Sequence, residues 1–127
     1  MNECRSEAAA AVVNGKIFCA GGYPSNSVEC YDPSSDVWTE VCNMSESLEQ
    51  HGAIEMDGYF IIVGGDNYGS YLNNVQALDI TDNNPKWIEK PSMSIKRNKF
   101  GMAKIHGKLF ICGGQTYRTT RGARSVS

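Results

Sequence analysis

A glycine pair recurs three times in this chain, each time closing an apolar run in the same frame. The copies read Val13-Asn14-Gly15-Lys16-Ile17-Phe18-Cys19-Ala20-Gly21-Gly22, Met56-Asp57-Gly58-Tyr59-Phe60-Ile61-Ile62-Val63-Gly64-Gly65 and Ile105-His106-Gly107-Lys108-Leu109-Phe110-Ile111-Cys112-Gly113-Gly114. In each, a turn glycine (Gly15, Gly58, Gly107) stands six residues before the pair, and a methionine (Met1, Met44, Met93) stands twenty before it. The pairs are 43 and 49 residues apart. A frame held through three copies makes the chain a repeat array, in which each unit buries its apolar surface against a neighbour.

One unit reads as four strands. Asn14-Gly15 and Asp57-Gly58 are type I′ hairpin turns, and His106-Gly107 is a weaker version in the same place. The run after each turn lacks polar alternation, which predicts a strand covered on both faces. The strand before each turn starts on small residues (Ala9, Gly52, Gly101), suited to crowding near an axis. Ser6–Ala11 alone suggests a helix start, but the counterparts of this strand begin with glycine, so the frame predicts a strand there. The glycine pair is expected to end the second strand. Val28–Asp32 and Val75–Asp79 follow as third strands, and segments around Trp38 and Trp87 as fourth strands. The tryptophans are read as packing residues. The six extra residues of the longer repeat fall between strands two and three and between three and four, so loops absorb the length difference.

Composition excludes more than it identifies. The longest apolar run, Ala8–Val13, is far short of the ~20 residues of a membrane helix, and no signal peptide opens the chain. The expectation is a cytoplasmic protein with no membrane partner. Five cysteines show no paired metal spacing; Cys19 and Cys112 occupy apolar-strand positions, and Cys4 beside Arg5 is the one thiol to test for reactivity. Residues 1–89 carry fourteen acids and three bases, net −11; residues 90–127 carry nine bases and no acid. The basic end (Lys96, Arg97, Lys99, Arg118, Arg121, Arg124) lacks interleaved aromatic residues, so no nucleic-acid partner is expected.

The glycine pairs, Val28-Glu29-Cys30-Tyr31-Asp32-Pro33, Trp38 and Met44 together resemble kelch repeats, specifically those of kelch-like proteins. The resemblance implies an all-β fold of four-stranded propeller blades: one blade over 1–43, a second over 44–92, a partial third over 93–117, and a divergent, disordered tail over 118–127. Two and a half blades cannot close a ring, so an incomplete propeller, a fragment of a longer protein, is expected. The resemblance also implies a non-enzymatic protein-binding module. Such a module serves as the substrate-recognition propeller of an adaptor for a cullin-based ubiquitin ligase, joined through a BTB domain missing from this chain. The alternative is an actin-binding, cytoskeleton-associated scaffold.

By position in that family, loops before the first strand and after the glycine pair grip a peptide. Arg5 and Arg97, each four residues after its methionine, are the candidate readers of an acidic ligand; Leu48 replaces arginine in the middle copy. An arginine bonded to its own loop carbonyls is the competing role. Tyr23, Ser25 and Asn26, then Asn67, Tyr68, Tyr71 and Asn73, supply an adaptable aromatic and polar surface. Some kelch propellers are copper enzymes, but His51 and His106 occupy different frame positions at opposite blade ends. No catalytic residue, metal site or cofactor is expected.

Overall fold

A computed structural model describes residues 1–80, 84–98 and 100–116, without the side chains of Gln115 and Thr116. The tail expected over 118–127 lies outside the described residues, as do Lys99, Arg118, Arg121 and Arg124.

The first four strands, β1 (Ala9–Val13), β2 (Lys16–Ala20), β3 (Ser27–Asp32) and β4 (Val37–Asn43), form one antiparallel sheet in chain order. A second sheet repeats the order with β5 (Gly52–Met56), β6 (Tyr59–Asn67), β7 (Ser70–Asp79) and β8 (Lys86–Lys90). The third copy shows a two-residue strand, β9 (Arg97–Asn98), a hairpin of β10 (Gly101–Ile105) and β11 (Lys108–Cys112), and β12 (Gln115–Thr116) paired with β9. Among the described residues the fold is all-β, two four-stranded antiparallel sheets followed by part of a third copy. The alanine run is strand β1, as the frame requires.

All three hairpin turns carry positive φ at both central residues: Asn14 and Gly15 at 51° and 78°, Asp57 and Gly58 at 53° and 84°, His106 and Gly107 at 50° and 75°. That geometry matches the twist of the flanking strands, and Asn, Asp and Gly adopt it at low cost.

Packing translates along the frame. The face of the first sheet bearing Val13, Phe18, Ala20 and Val28 meets the face of the second bearing Phe60, Ile62 and Leu78. The Phe18 and Phe60 rings lie 5.6 Å apart. One copy later, Ile61, Val63 and Ala77 pack with Leu109, Ile111 and Met102 of the third hairpin. One face of each copy therefore covers the opposite face of the next. Gly52 explains the small residues at first-strand starts: a Cβ there would stand 2.6 Å from Met102 Cε and 2.9 Å from Phe100.

Two expectations need correction. The glycine pair does not end the second strand of the middle copy: β6 continues through Gly64 and Gly65 to Asn67, with a register shift between Val63 and Gly65. The residues inserted between the second and third strands form extra ladder instead of a loop, since Asn67 pairs with Ser70 around a turn at Tyr68 and Gly69. Cover on both faces also fails in the third copy, where Ile105, Phe110 and Cys112 are exposed. Their counterparts Val13, Phe18 and Ala20 are buried by the following sheet.

The tryptophans pack. Trp38 faces its cross-strand partner Tyr31, with ring centroids 5.2 Å apart, and Trp87 Nε1 donates to Asn43 O of the preceding sheet at 2.9 Å.

Candidate functional interaction surface

The two ends of the blades differ. At the hairpin-turn end, a cleft of about 620 Å³ opens between the sheets, lined by Val13, Phe18, Val37, Val41, Ile80 and Pro85 with a rim that includes Lys16 and Asp32. The other end carries the segments entering β1, β5 and β10 and the loops after the glycine pairs.

At that end one backbone bridge recurs in every copy. Ser6 pairs with Tyr23, Glu49 with Asp66, and Asn98 with Gln115, all antiparallel and in register with the repeat. The bonds are short, 3.1 and 2.9 Å in the first copy and 3.0 and 2.9 Å in the second. They tie each entry segment to the chain after the glycine pair, which holds the loop tips still relative to the sheets.

Close approach explains the glycines and the distant methionines together. Gly21 has φ of +64°, and a Cβ on it would stand 2.7 Å from Met44 Cε and 2.8 Å from Leu48 O. At Gly64 the corresponding neighbours are Arg97 O at 2.7 Å and Met93 Cε at 3.0 Å. The repeated methionine therefore packs on the glycine pair of the copy before it.

The arginines turn inward. Arg5 has no exposed side-chain surface; it donates to Gly21 O at 2.8 Å, Ser27 O at 3.0 Å, Ser27 Oγ at 2.7 Å and the buried Glu29 carboxylate at 2.7 Å. Glu3 approaches the same guanidinium at 3.7 Å. Arg97, only 7 % exposed, reaches the equivalent carbonyl, Gly113 O, at 3.4 Å. Arg5 is thus engaged by carbonyls and a buried carboxylate of its own copy, and Arg97 is buried with one described bond to the Gly113 carbonyl.

Asn26 and Asn73 are also occupied. Each sits two residues before a third-strand valine and donates Nδ2 to the carbonyl of the following methionine, Met44 O at 3.0 Å and Met93 O at 3.1 Å. The same methionine N–H groups return bonds to the asparagine carbonyls, at 2.8 Å in both copies. Ser25 is buried, with its hydroxyl 2.9 Å from Ser27 Oγ. Asn67 and Tyr71 are half-buried in the extended β6–β7 hairpin, where Tyr71 pairs across from Asp66.

Two of the expected residues stand free of the sheets. Tyr23 is 55 % exposed and Tyr68 72 %. They come from adjacent copies and share a shallow notch with Ser47, Leu48, Glu49 and Asp66.

A polar chain along the entry segments is absent from the expected set. Gln50 Nε2 donates to the Glu7 carboxylate at 3.0 and 3.2 Å, while Asn98 Nδ2 donates to Gln50 Oε1 at 2.7 Å, linking all three copies. Glu7 and Gln50 occupy the same frame position, six after the methionine, and that periodic polarity is the signal that marks them. His51 follows, buried, with Nε2 donating to Ala20 O at 2.8 Å. Burial holds its imidazole pKa below the ordinary value, with the Ala20 carbonyl opposing. His106 lies in the hairpin turn at the other end. Among the described residues no cluster of His, Cys, Asp and Glu has the makings of a metal site. No helix among them is long and apolar enough to cross a membrane.

The five cysteines are unbridged; Cys19 is buried, and burial raises its thiol pKa, whereas Cys4 and Cys112 are exposed.

Comparison with known proteins agrees with this architecture. The kelch motif matches residues 4–45 and 49–94. Kelch-like ECH-associated protein 1A of Danio rerio is 31% identical over 77% of this chain and 17% of its own length. Beta-scruin of Limulus polyphemus is 28% identical over 90% of this chain and 14% of its own. The chain thus spans less than a fifth of these relatives. The solved structure of YjhT superposes with a TM-score of 0.80 at 17% identity, covering 91% of this chain and 36% of that one, a likeness of fold. Matched by the motif in two successive copies and built as stacked four-stranded blades, the chain belongs to the kelch-repeat family of protein-interaction modules.

Proposed function

We propose that the Tyr23–Tyr68 notch is a ligand-contacting surface of a kelch-like adaptor that presents a protein substrate to a cullin-based ubiquitin ligase. The observation that carries this reading is the exposure of these two tyrosines from adjacent copies over a single notch. Tyrosine offers large amphipathic contact area at low entropic cost, and loops already tied down by backbone bridges lose little further freedom on binding. In the segments entering the first two copies the exposed charges include the acids Glu3, Glu7 and Glu46, while the exposed Lys96 lies in the segment entering the third. A neutral or basic segment suits the notch better than an acidic one. The ligase assignment rests on the resemblance to kelch-like proteins and requires a BTB domain outside these 127 residues.

The test uses the protein that carries this segment, with Tyr23→Ala and Tyr68→Ala combined. Affinity capture should show at least one substrate lost while the cullin stays bound. Retention of every partner by the double variant overturns the reading. Co-sedimentation with filamentous actin, without cullin association, favours the actin-associated scaffold.

A further inference from the structure

One hairpin turn breaks the rule that the repeated turns obey. Tyr68 and Gly69 join Asn67 to Ser70 with φ of 50° and 90°. The turns at Asn14, Asp57 and His106 place residues that tolerate the left-handed region in that position, whereas here it holds a bulky tyrosine. The ring serves no core, since Tyr68 is 72 % exposed. Backbone strain kept on an exposed aromatic residue points to a contact outside the chain.

The surroundings of the turn say what that contact is. Asp66 Oδ1 accepts the Gly69 N–H at 2.7 Å, and the Asp66 backbone exchanges bonds of 2.9 and 3.0 Å with Glu49 of the entry segment. Tyr23 lines the same notch from the preceding copy, its backbone bonded to Ser6 at 2.9 and 3.1 Å. Two aromatic rings and a carboxylate are therefore presented from backbone that is already tied down. One accepted bond leaves most of the capacity of the Asp66 carboxylate, about four lone-pair sites, for further donors.

We propose that Tyr23, Tyr68 and Asp66 read a single arginine side chain on the protein segment that occupies the notch; the inference rests on the reading of the notch given above and adds the chemistry of its ligand. A guanidinium is planar, stacks on aromatic faces and donates parallel N–H bonds to a carboxylate. The tyrosine rings take its face and Asp66 takes its edge. A lysine ammonium offers neither the flat face nor the fork. Residues 1–89 are net −11, so the field around the first two copies draws a cation.

The probes are capped tripeptides, Gly-Arg-Gly and its lysine, citrulline and trimethyl-lysine counterparts, titrated into the full chain with isotope-labelled tyrosine rings and followed by NMR. The arginine peptide should shift the ring signals of Tyr23 and Tyr68 saturably. Lysine, and citrulline with the same shape but no charge, should bind at least about tenfold more weakly. Asp66→Asn keeps an oxygen for the Gly69 N–H and should weaken the arginine peptide at least about fivefold. Tyr68→Asn gives the turn a residue that suits it, so the thermal midpoint should equal or exceed that of the parent while arginine binding falls at least about fivefold. Should either variant fail to fold, the four peptides on the unmodified chain decide. Absence of a saturable shift, equal affinity for arginine and citrulline, or tighter binding of trimethyl-lysine, which cannot donate to Asp66, overturns the proposal. Unchanged arginine affinity in a folded Asp66→Asn or Tyr68→Asn chain overturns it equally. Failure here is distinct from failure of the notch itself. Peptides that do not discriminate, with a substrate still lost from the Tyr23→Ala, Tyr68→Ala protein, remove the arginine chemistry alone. Retention of every partner by that double variant removes both.

Discussion

Arg5 and Glu29 form an ion pair withdrawn from water, with side-chain exposures of 0 % and 1 %. A buried pair of this kind adds little net stability over an apolar pair, but removing one member strands the other charge at about 3–5 kcal/mol. Arg5→Ala is therefore expected to cost that amount in chemical denaturation. Adding Glu29→Ala should recover a large part of it, and strict additivity of the two losses would refute the coupling. The arginine was visible in the sequence and its partner was not, because Glu29 in a third strand reads as a solvent-facing residue until the fold returns it to the entry loop. His51 is the second residue whose burial has a measurable consequence. Its folded pKa is lowered, so the unfolded state binds the proton more readily. Stability should be full above the ordinary imidazole pKa of about 6.5 and erode as pH falls through it toward the folded value. Asp32 and Glu55 stay ionised across that window, held below the ordinary carboxylate range by the Ser34 hydroxyl and the Lys104 ammonium respectively. Thermal unfolding at about pH 7.5 and about pH 5.5 checks it: the chain should lose stability at the lower pH, and His51→Gln should not.

Strands and turns follow from local chemistry that the sequence displays, whereas the contacts between copies do not. The hairpin glycines and the paired glycines look alike in the sequence, yet they answer different demands. Gly15 has φ of +78° and open space for at least 4 Å around the position a Cβ would take, so Gly15→Ala meets only the left-handed penalty of about 1–2 kcal/mol. Gly21→Ala adds steric conflict with Leu48 O at 2.8 Å, a backbone atom that cannot swing aside. The loss at Gly21 should therefore exceed that at Gly15 by at least about 1 kcal/mol, read from urea midpoints of the two variants. Similar midpoints would mean that the entry segment yields without cost. The extension of β6 escaped notice for a related reason. Glycine pairs read as strand ends, but in the middle copy the inserted residues provide a partner ladder from Ser70 to Leu72, and cross-strand pairing outweighs the flexibility of Gly64 and Gly65. The asparagine clasps at Asn26 and Asn73 were hidden because the aligning positions lie across a loop of variable length.

At the scale of the whole molecule, repetition implies a polarity. Each sheet has a face that covers the next copy and a face that is covered by the one before, and the two are complementary by construction. In the 127-residue chain Val12 on the first sheet, at 61 % exposed, and Phe110 and Ile105 on the third hairpin, at 52 % each, stand uncovered. The exposed apolar faces are opposite in kind, so contact between two molecules is head-to-tail, an arrangement that propagates instead of closing on itself. Charge favours the same orientation, since residues 1–89 are net −11 while residues 90–127 carry nine bases and no acid. The isolated chain is thus expected to sediment as a concentration-dependent series of oligomers. Phe110→Lys, which places a charge on one face only, should shift the distribution toward monomer, and it leaves the cores between the described copies untouched because Phe110 belongs to neither. The same substitution offers a control for mechanism. If the exposed face and not general instability drives association, the variant should lose its oligomers yet match the thermal midpoint of the parent chain at dilutions where the parent is monomeric. A monomeric parent chain, or a variant that aggregates as readily, would show that the uncovered faces do not govern its behaviour.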